Sequence, residues 1–186
     1  NLLETDKPFP FKYRFDVMQA VIHAEGRIIN PHETADLDIA LQVEAPDLQG
    51  LLALLHETVP DIALSATGRL AGTLDAPRLD DLELRLSKDK VALQLSGTVG
   101  NLLRAEAIQH DFSSDITDAA VLASLLPEQS PHFNALKTAG KVSGSGDDLV
   151  LSDYTLDASG PGGHTLELAG SARFLAATPP LRDVKA

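Results

Sequence analysis

The chain of 186 residues contains no cysteine and no tryptophan, and only 4% of its residues are aromatic. Without cysteine the protein has no disulfide, no thiolate nucleophile and no thiolate metal ligand. No run of 18 apolar residues occurs, so the sequence contains no segment typical of a membrane-spanning helix. With so few rings available, the core must be built mainly from leucine, valine, isoleucine and alanine.

Basic residues are also scarce, because 15 Lys and Arg stand against 27 Asp and Glu and the formal net charge is −12. Such a surface repels phosphate backbones and anionic headgroups, which predicts no nucleic-acid binding and no electrostatic docking on membranes. The length suits one domain or part of a repetitive one. The sequence starts at Asn1 with no basic and apolar leader, and we expect residues 1–186 to be a single β-rich region of a longer protein.

Signatures of catalysis and of metal binding are missing as well. The six histidines form no HxxH or HxxxH pair, and no GxSxG nucleophile elbow is present. The segment GSGDDL at 144–149 lacks the lysine of a phosphate loop and is read as a polar hairpin turn. Asp80 and Asp81 are read as solvated residues of a turn over 75–81. The sequence therefore predicts no enzyme, no metal site and no cofactor.

Apolar and polar residues alternate over several segments, which is the pattern of strands with one buried face. The segments 13–17, 21–26, 37–43, 62–70, 82–86 and 91–95 follow this pattern, and Lys88, Asp89 and Lys90 are read as a tight hairpin turn. On three of these strands the apolar positions are predicted to line a concave apolar face that binds lipid: Leu37, Ile39, Leu41, Leu82, Leu84, Leu86, Val91, Leu93 and Leu95.

The segment 44–73 is closely similar to a second segment, 115–145, at an offset of 71 to 72 residues. Each copy predicts a short helix with a leucine stripe, over 48–55 and 122–126, followed by a strand that contains two glycines. Gly26 and Gly97 match at an offset of 71, and Gly97 and Gly170 at 73. We predict repeat units of about 72 residues over 13–84 and 85–156, with a partial unit over 157–175.

Two short helices cannot cover so many amphipathic strands. The sheet must either curl on itself and pack as a dry sandwich, or stay open and hold apolar ligands. The residue pattern leaves both alternatives open. The predicted fold class is mainly β, a curved antiparallel sheet built of these repeated units, each with one short helix; the family resemblance described next favours its open groove or taco-like form.

The repeated pattern of Leu, Gly and Asp resembles the AsmA-like family of bacterial envelope proteins. It is carried by APDLQGLLALL at 45–55, Val59 with Pro60, GRLAG at 68–72 and the alternating segments 79–86 and 91–97, and more loosely by 108–170. The resemblance implies a periplasmic body, an inner-membrane anchor outside these residues, and a role in outer-membrane homeostasis. It also implies repeated β units that form a trough for phospholipids, as in bridge-like lipid transfer proteins.

Two functions from different classes follow. The first is a periplasmic lipid-handling segment in which the apolar face holds acyl chains. The second is a structural or assembly module that binds other envelope proteins through its sheet edges, since unpaired edge groups also allow one molecule to pair with another.

Overall fold

The structure, a computed structural model, describes residues 8–17, 19–29, 35–47, 62–118 and 132–175. Within these residues the backbone forms ten strands and almost no helix. The strands are β1 (Phe9–Val17), β2 (Ala20–Ile29), β3 (Asp36–Ala45), β4 (Ala63–Thr73), β5 (Ala76–Lys88), β6 (Val91–Asn101), β7 (Glu106–Ile116), β8 (Ala135–Ser145), β9 (Asp148–Ser159) and β10 (Thr165–Leu175).

The ten strands form one antiparallel sheet in which every strand pairs with its neighbours in the sequence. β1 and β10 are the outer strands, and the sheet of described residues does not curl on itself to pair them. The prediction of a mainly β, antiparallel fold is confirmed. The division into repeat units, 13–84, 85–156 and 157–175, stays a prediction.

Helical structure within the described residues is limited to a single 3₁₀ turn at Pro161–Gly163, between β9 and β10. The two predicted leucine-striped helices, over 48–55 and 122–126, lie outside the described residues. None of the described helical structure is long or apolar enough to cross a membrane.

Side chains alternate between the two faces of the sheet, and residues paired across neighbouring strands share a face. Leu41 pairs with Ala24 of β2 and with Gly68 of β4, and Val43 pairs with Ala66, which in turn pairs with Leu84. The same register continues to β1 and β10. We call this side, which carries the leucines of every predicted segment, the apolar face, and the opposite side the polar face.

Two β-bulges interrupt the ladders at Asp81 in β5 and at Asp153 in β9. Each inserts one residue opposite both neighbouring strands. Asp81 has a φ of 52° and Asp153 a φ of 51°, a left-handed conformation that aspartate tolerates better than most residues. The predicted turn over 75–81 is therefore wrong beyond its first residue: the chain turns at Leu74 and Asp75, and β5 begins at Ala76. Bulges increase the local twist of a sheet, so twist is added at these two positions.

Buried apolar side chains lie at both ends of the sheet: Ala35, Leu37 and Ala71 at the end with the β4–β5 turn, and a larger group at the end with the β5–β6 turn. Val91 and Ile116 are 8% and 5% exposed and pack against Phe133 and Leu136. Three alanines at the same end are equally buried: Ala20, Ala45 and Ala158. The apolar face is thus closed at this end and less shielded along the outer strands.

Candidate functional site

All nine residues of the predicted lipid-binding set lie on the apolar face. β5 and β6 bring six of them together, because Leu84 is paired with Leu95 and Leu86 with Leu93. Cross-strand partners of this kind are neighbours whose side chains pack directly. The three residues of β3, Leu37, Ile39 and Leu41, are two strands away from β5 on the same face.

β4 fills the space between the two predicted groups, and its contribution was missed from the sequence. Leu64, Ala66 and Leu70 lie on the apolar face and connect the residues of β3 to those of β5. Leu70, for example, is paired with Ile39 on one side and with Leu79 on the other. The alternation of 62–70 was visible in the sequence, but only the register places these side chains between the other two groups.

β1 adds an aromatic row to the apolar face. Phe11, Tyr13 and Phe15 follow one another at two-residue spacing, with ring centroids 5.5 and 6.0 Å apart. Phe9 continues the row, so this one strand carries three of the six phenylalanines and one of the two tyrosines of the chain. Phe9, Tyr13 and Phe15 are each about half exposed, at 52%, 53% and 53%.

No second sheet or helix of the described residues packs over the apolar face. The dry sandwich that the sequence left open is not formed by these residues, which make a single sheet. The central leucines, such as Leu84 and Leu95, are nevertheless only partly exposed, because their neighbours on the same face shield them. On the outer strand β10 shielding falls away, and Leu168 is 51% and Phe174 58% exposed.

A small polar site interrupts the apolar face at β7 and β8. The hydroxyl groups of Ser114 and Thr138 are hydrogen bonded to each other at 2.8 Å. His110 lies on the same face, paired with Gly97, and its Nδ1 atom is buried without a hydrogen-bond partner among the described residues. The partly buried position of this histidine within the apolar face was not predictable from its spacing in the sequence.

The polar face is held together by ion pairs that cross between strands. Asp38 is the centre of one network: its carboxylate accepts hydrogen bonds from Arg69 Nε at 2.8 Å and from Arg27 Nε at 3.1 Å. The hydrogen bond from Arg69 is the main reason that the pKa of Asp38 lies below its ordinary value. Lys12 pairs with Glu25 in the same way. These charges give the polar face a solvated surface.

Within the described part of the chain, no group of three or more His, Asp or Glu residues is arranged to hold a metal ion. The depressions of the polar face are shallow; one of them, over β5, β6 and β7, is lined by Glu83, Arg85, Gln94, Asp111 and Ser113. Comparisons with protein-family models, with curated proteins and with solved structures found no match for this chain.

Proposed function

We propose that this chain handles lipid, and that acyl chains lie along the apolar face of the sheet. The observation that carries the proposal is that leucines, valines and aromatic residues of all ten strands lie on one face, interrupted only by a small polar site at β7 and β8, while no described sheet or helix packs over it. Exposed apolar patches of this extent mark binding surfaces in soluble proteins.

The dimensions of the face suit acyl chains. Ten strands spaced about 4.8 Å apart extend over about 43 Å. One acyl chain spans about half of the ~30 Å hydrocarbon core of a bilayer, so the face is longer than two chains laid end to end. Each buried methylene contributes about 0.8 kcal/mol, so that partial burial of one chain supports binding without any charged contact.

The arrangement of charge supports an uncharged ligand segment on this face. Arg27, Asp38 and Arg69 pair among themselves on the polar face. The polar site on the apolar face contains the uncharged hydroxyl groups of Ser114 and Thr138 and the imidazole of His110. A hydrocarbon chain therefore meets a surface that offers dispersion contacts and little competing hydration.

The proposed setting is the bacterial periplasm, in an AsmA-like protein whose inner-membrane anchor lies outside these residues. The support is the resemblance in sequence, together with two structural features at the predicted period: the bulge at Asp153 follows the bulge at Asp81 by 72 residues, and a glycine stands beside each. In this proposal the predicted units, 13–84 and 85–156, are successive parts of a curved groove.

Lipid extraction and native mass spectrometry of the purified protein test the proposal directly. We expect co-purifying phospholipid or fatty acid, and displacement of it by a fluorescent fatty acid. Leu84→Asp places a charge at the centre of the apolar face and should weaken fatty-acid binding by about tenfold or more, since a charge buried against a hydrocarbon chain must be desolvated.

Gln94→Asp is the matched control, because it adds the same charge to the polar face of the neighbouring strand β6. This variant should bind fatty acid as the wild type does. Far-UV circular dichroism of both variants establishes that the sheet is retained. The proposal is wrong if Leu84→Asp and wild type bind fatty acid with equal affinity. It is also wrong if the folded protein neither yields extractable lipid nor binds added lipid.

A further inference from the structure

Glycines at two equivalent places of the sheet are explained by the strand that follows them. Gly26 of β2 and Gly97 of β6 both lie on the apolar face and pair with the next strand, with Ile39 and His110 respectively. A Cβ atom on Gly26 would lie 2.1 Å from the carbonyl oxygen of Asp38, and one on Gly97 would lie 1.9 Å from that of Gln109. No side chain fits there while the neighbouring strand is in place.

Gly170 of β10 occupies the third such place, with β9 on one side, but no described strand lies on its other side. It pairs with Tyr154 next to the β9 bulge, as Gly97 pairs with Leu82 next to the β5 bulge. Among the described residues nothing lies within 4 Å of a Cβ atom built on Gly170, and its φ is not in the left-handed region. A glycine in a strand weakens it, so neither local space nor local conformation accounts for this residue.

We propose that β10 is a docking edge for one further extended strand, which runs antiparallel to it and crosses closely at Gly170. Among the described residues no strand pairs with the outer edge of β10, so the N–H and C=O groups on that edge are available for this pairing. The glycine gives the carbonyl oxygen of the incoming strand the space that the Asp38 and Gln109 carbonyls use at Gly26 and Gly97.

The side chains of β10 define the chemistry of the partner. The residues that pair with Gly26 and Gly97 are Ile39 and His110, which both have bulky side chains. We therefore expect the partner to have a bulky residue opposite Gly170. Glu167 is paired across the sheet with Asp157, which places two carboxylates side by side. A basic residue three positions after the bulky one would lie opposite Glu167, on the polar face. The partner also covers the exposed Leu168.

This inference specifies a partner for the assembly role and does not depend on lipid binding. The probe is a fluorescent peptide with the sequence of residues 35–45 that carries Gln42→Lys, because in β3 Ile39 faces Gly26 and residue 42 stands three positions later. Fluorescence anisotropy with the intact chain should show saturable binding. Hydrogen exchange should show protection confined to the β10 amides.

Gly170→Val should reduce the affinity for the peptide by about tenfold or more, because the added side chain occupies the space of the incoming backbone. The thermal midpoint of the Gly170→Val variant without peptide should be unchanged or higher than that of the wild type, since valine favours strands. Ala172→Val is the matched control on the same strand and face: β6 has Val99 two residues after Gly97, so this variant should bind normally.

Charge exchange tests the register. Glu167→Lys should weaken binding of the Gln42→Lys peptide. The same variant should instead bind a peptide that carries Gln42→Glu, since the two charges are then opposite again. Absence of binding up to about 1 mM peptide, or equal binding by Gly170→Val and wild type, overturns the proposal. If the chain alone forms a dimer and Gly170→Val abolishes that dimer, the edge of β10 binds a second copy of this chain. That result would overturn the proposed partner, a separate strand with a bulky residue opposite Gly170 and a basic residue opposite Glu167.

Discussion

The contrast between Gly97 and Gly170 gives a sharp prediction about stability. Gly97→Ala places a methyl group 1.9 Å from the carbonyl oxygen of Gln109 and 2.8 Å from the Cα of His110, both backbone atoms of β7. A carbon and a carbonyl oxygen come no closer than about 3.3 Å even in favourable C–H···O contacts. β6 and β7 must therefore separate locally by more than about 1 Å, beyond the length at which their ladder bonds survive.

The expected cost combines two effects. Loss of two or three ladder hydrogen bonds contributes about 1–4 kcal/mol, at about 0.5–1.5 kcal/mol each. The φ of Gly97 is 149°, and holding a residue with a side chain there adds about 1–3 kcal/mol. The free energy of unfolding should fall by about 2–7 kcal/mol, which is a large part of the roughly 5–15 kcal/mol typical of a domain.

Urea unfolding followed by far-UV circular dichroism measures this change, since the chain has no tryptophan to report on it. Gly170→Ala is the control, because it makes the same substitution in the corresponding place where nothing described lies within 4 Å. It should leave stability unchanged or raise it by up to about 1 kcal/mol. If both variants lose the same free energy, close approach of the next strand is not the reason for these glycines.

Three further substitutions probe the polar face, the edge and the closed end. Asp38→Asn should lower the urea midpoint at pH 7. The hydrogen bond from Arg69 depresses the pKa of Asp38 below 3.8 in the folded protein, so the contribution of the carboxylate to stability is present above that value and is lost as the pH falls through the folded pKa. The urea midpoints of variant and wild type should therefore converge in acid. Arg173→Met removes the hydrogen bond that Arg173 Nε donates to Asp148 Oδ1 at 2.7 Å, and the β10 amides should then exchange faster in hydrogen-exchange measurements at low salt, with a smaller difference at high salt. Ile116→Ala leaves a cavity at a residue that is 5% exposed and should cost about 2–5 kcal/mol in thermal unfolding; a cost below 1 kcal/mol would mean that the closed end is not packed as described.

Alternation was sufficient to predict the strands whose two faces differ most in hydropathy. β5 and β6 are the clearest case: Leu82, Leu84 and Leu86 alternate with Glu83 and Arg85, and the hairpin turn falls at residues 89 and 90 as expected. Each such strand also identifies its own buried side, because side chains on a strand repeat with a period of two. The prediction that these leucines share one face needed only this period.

Features that depend on the neighbouring strand could not be predicted in the same way. β7 was not identified as a strand, because His110 and Ser114 stand at positions where an apolar residue would have continued the alternation. The turn over 75–81 was wrong because Pro77 and two aspartates are typical of turns, whereas in the sheet Asp81 forms a bulge beside Gly68 and Gly97. A bulge is defined by the partner strand, which local sequence does not contain.

The distribution of exposure across the apolar face relates its stability to its proposed function. Central leucines are shielded by their neighbours, so the cross-strand ladder and the packing of one face on itself hold the middle of the sheet without a second layer. At the outer strands this shielding is one-sided, and Phe15 and Leu168 keep about half of their surface in contact with water. The hydrophobic free energy gained on binding scales with the apolar area that is removed from water, so it is largest at the outer strands β1 and β10, where the side chains are most exposed. Acyl chains and an additional strand at β10 would therefore compete for, or jointly cover, the same exposed side chains. Substitution of Gly170 distinguishes binding of a strand from binding of an acyl chain, because a strand needs the space beside Gly170 and an acyl chain does not.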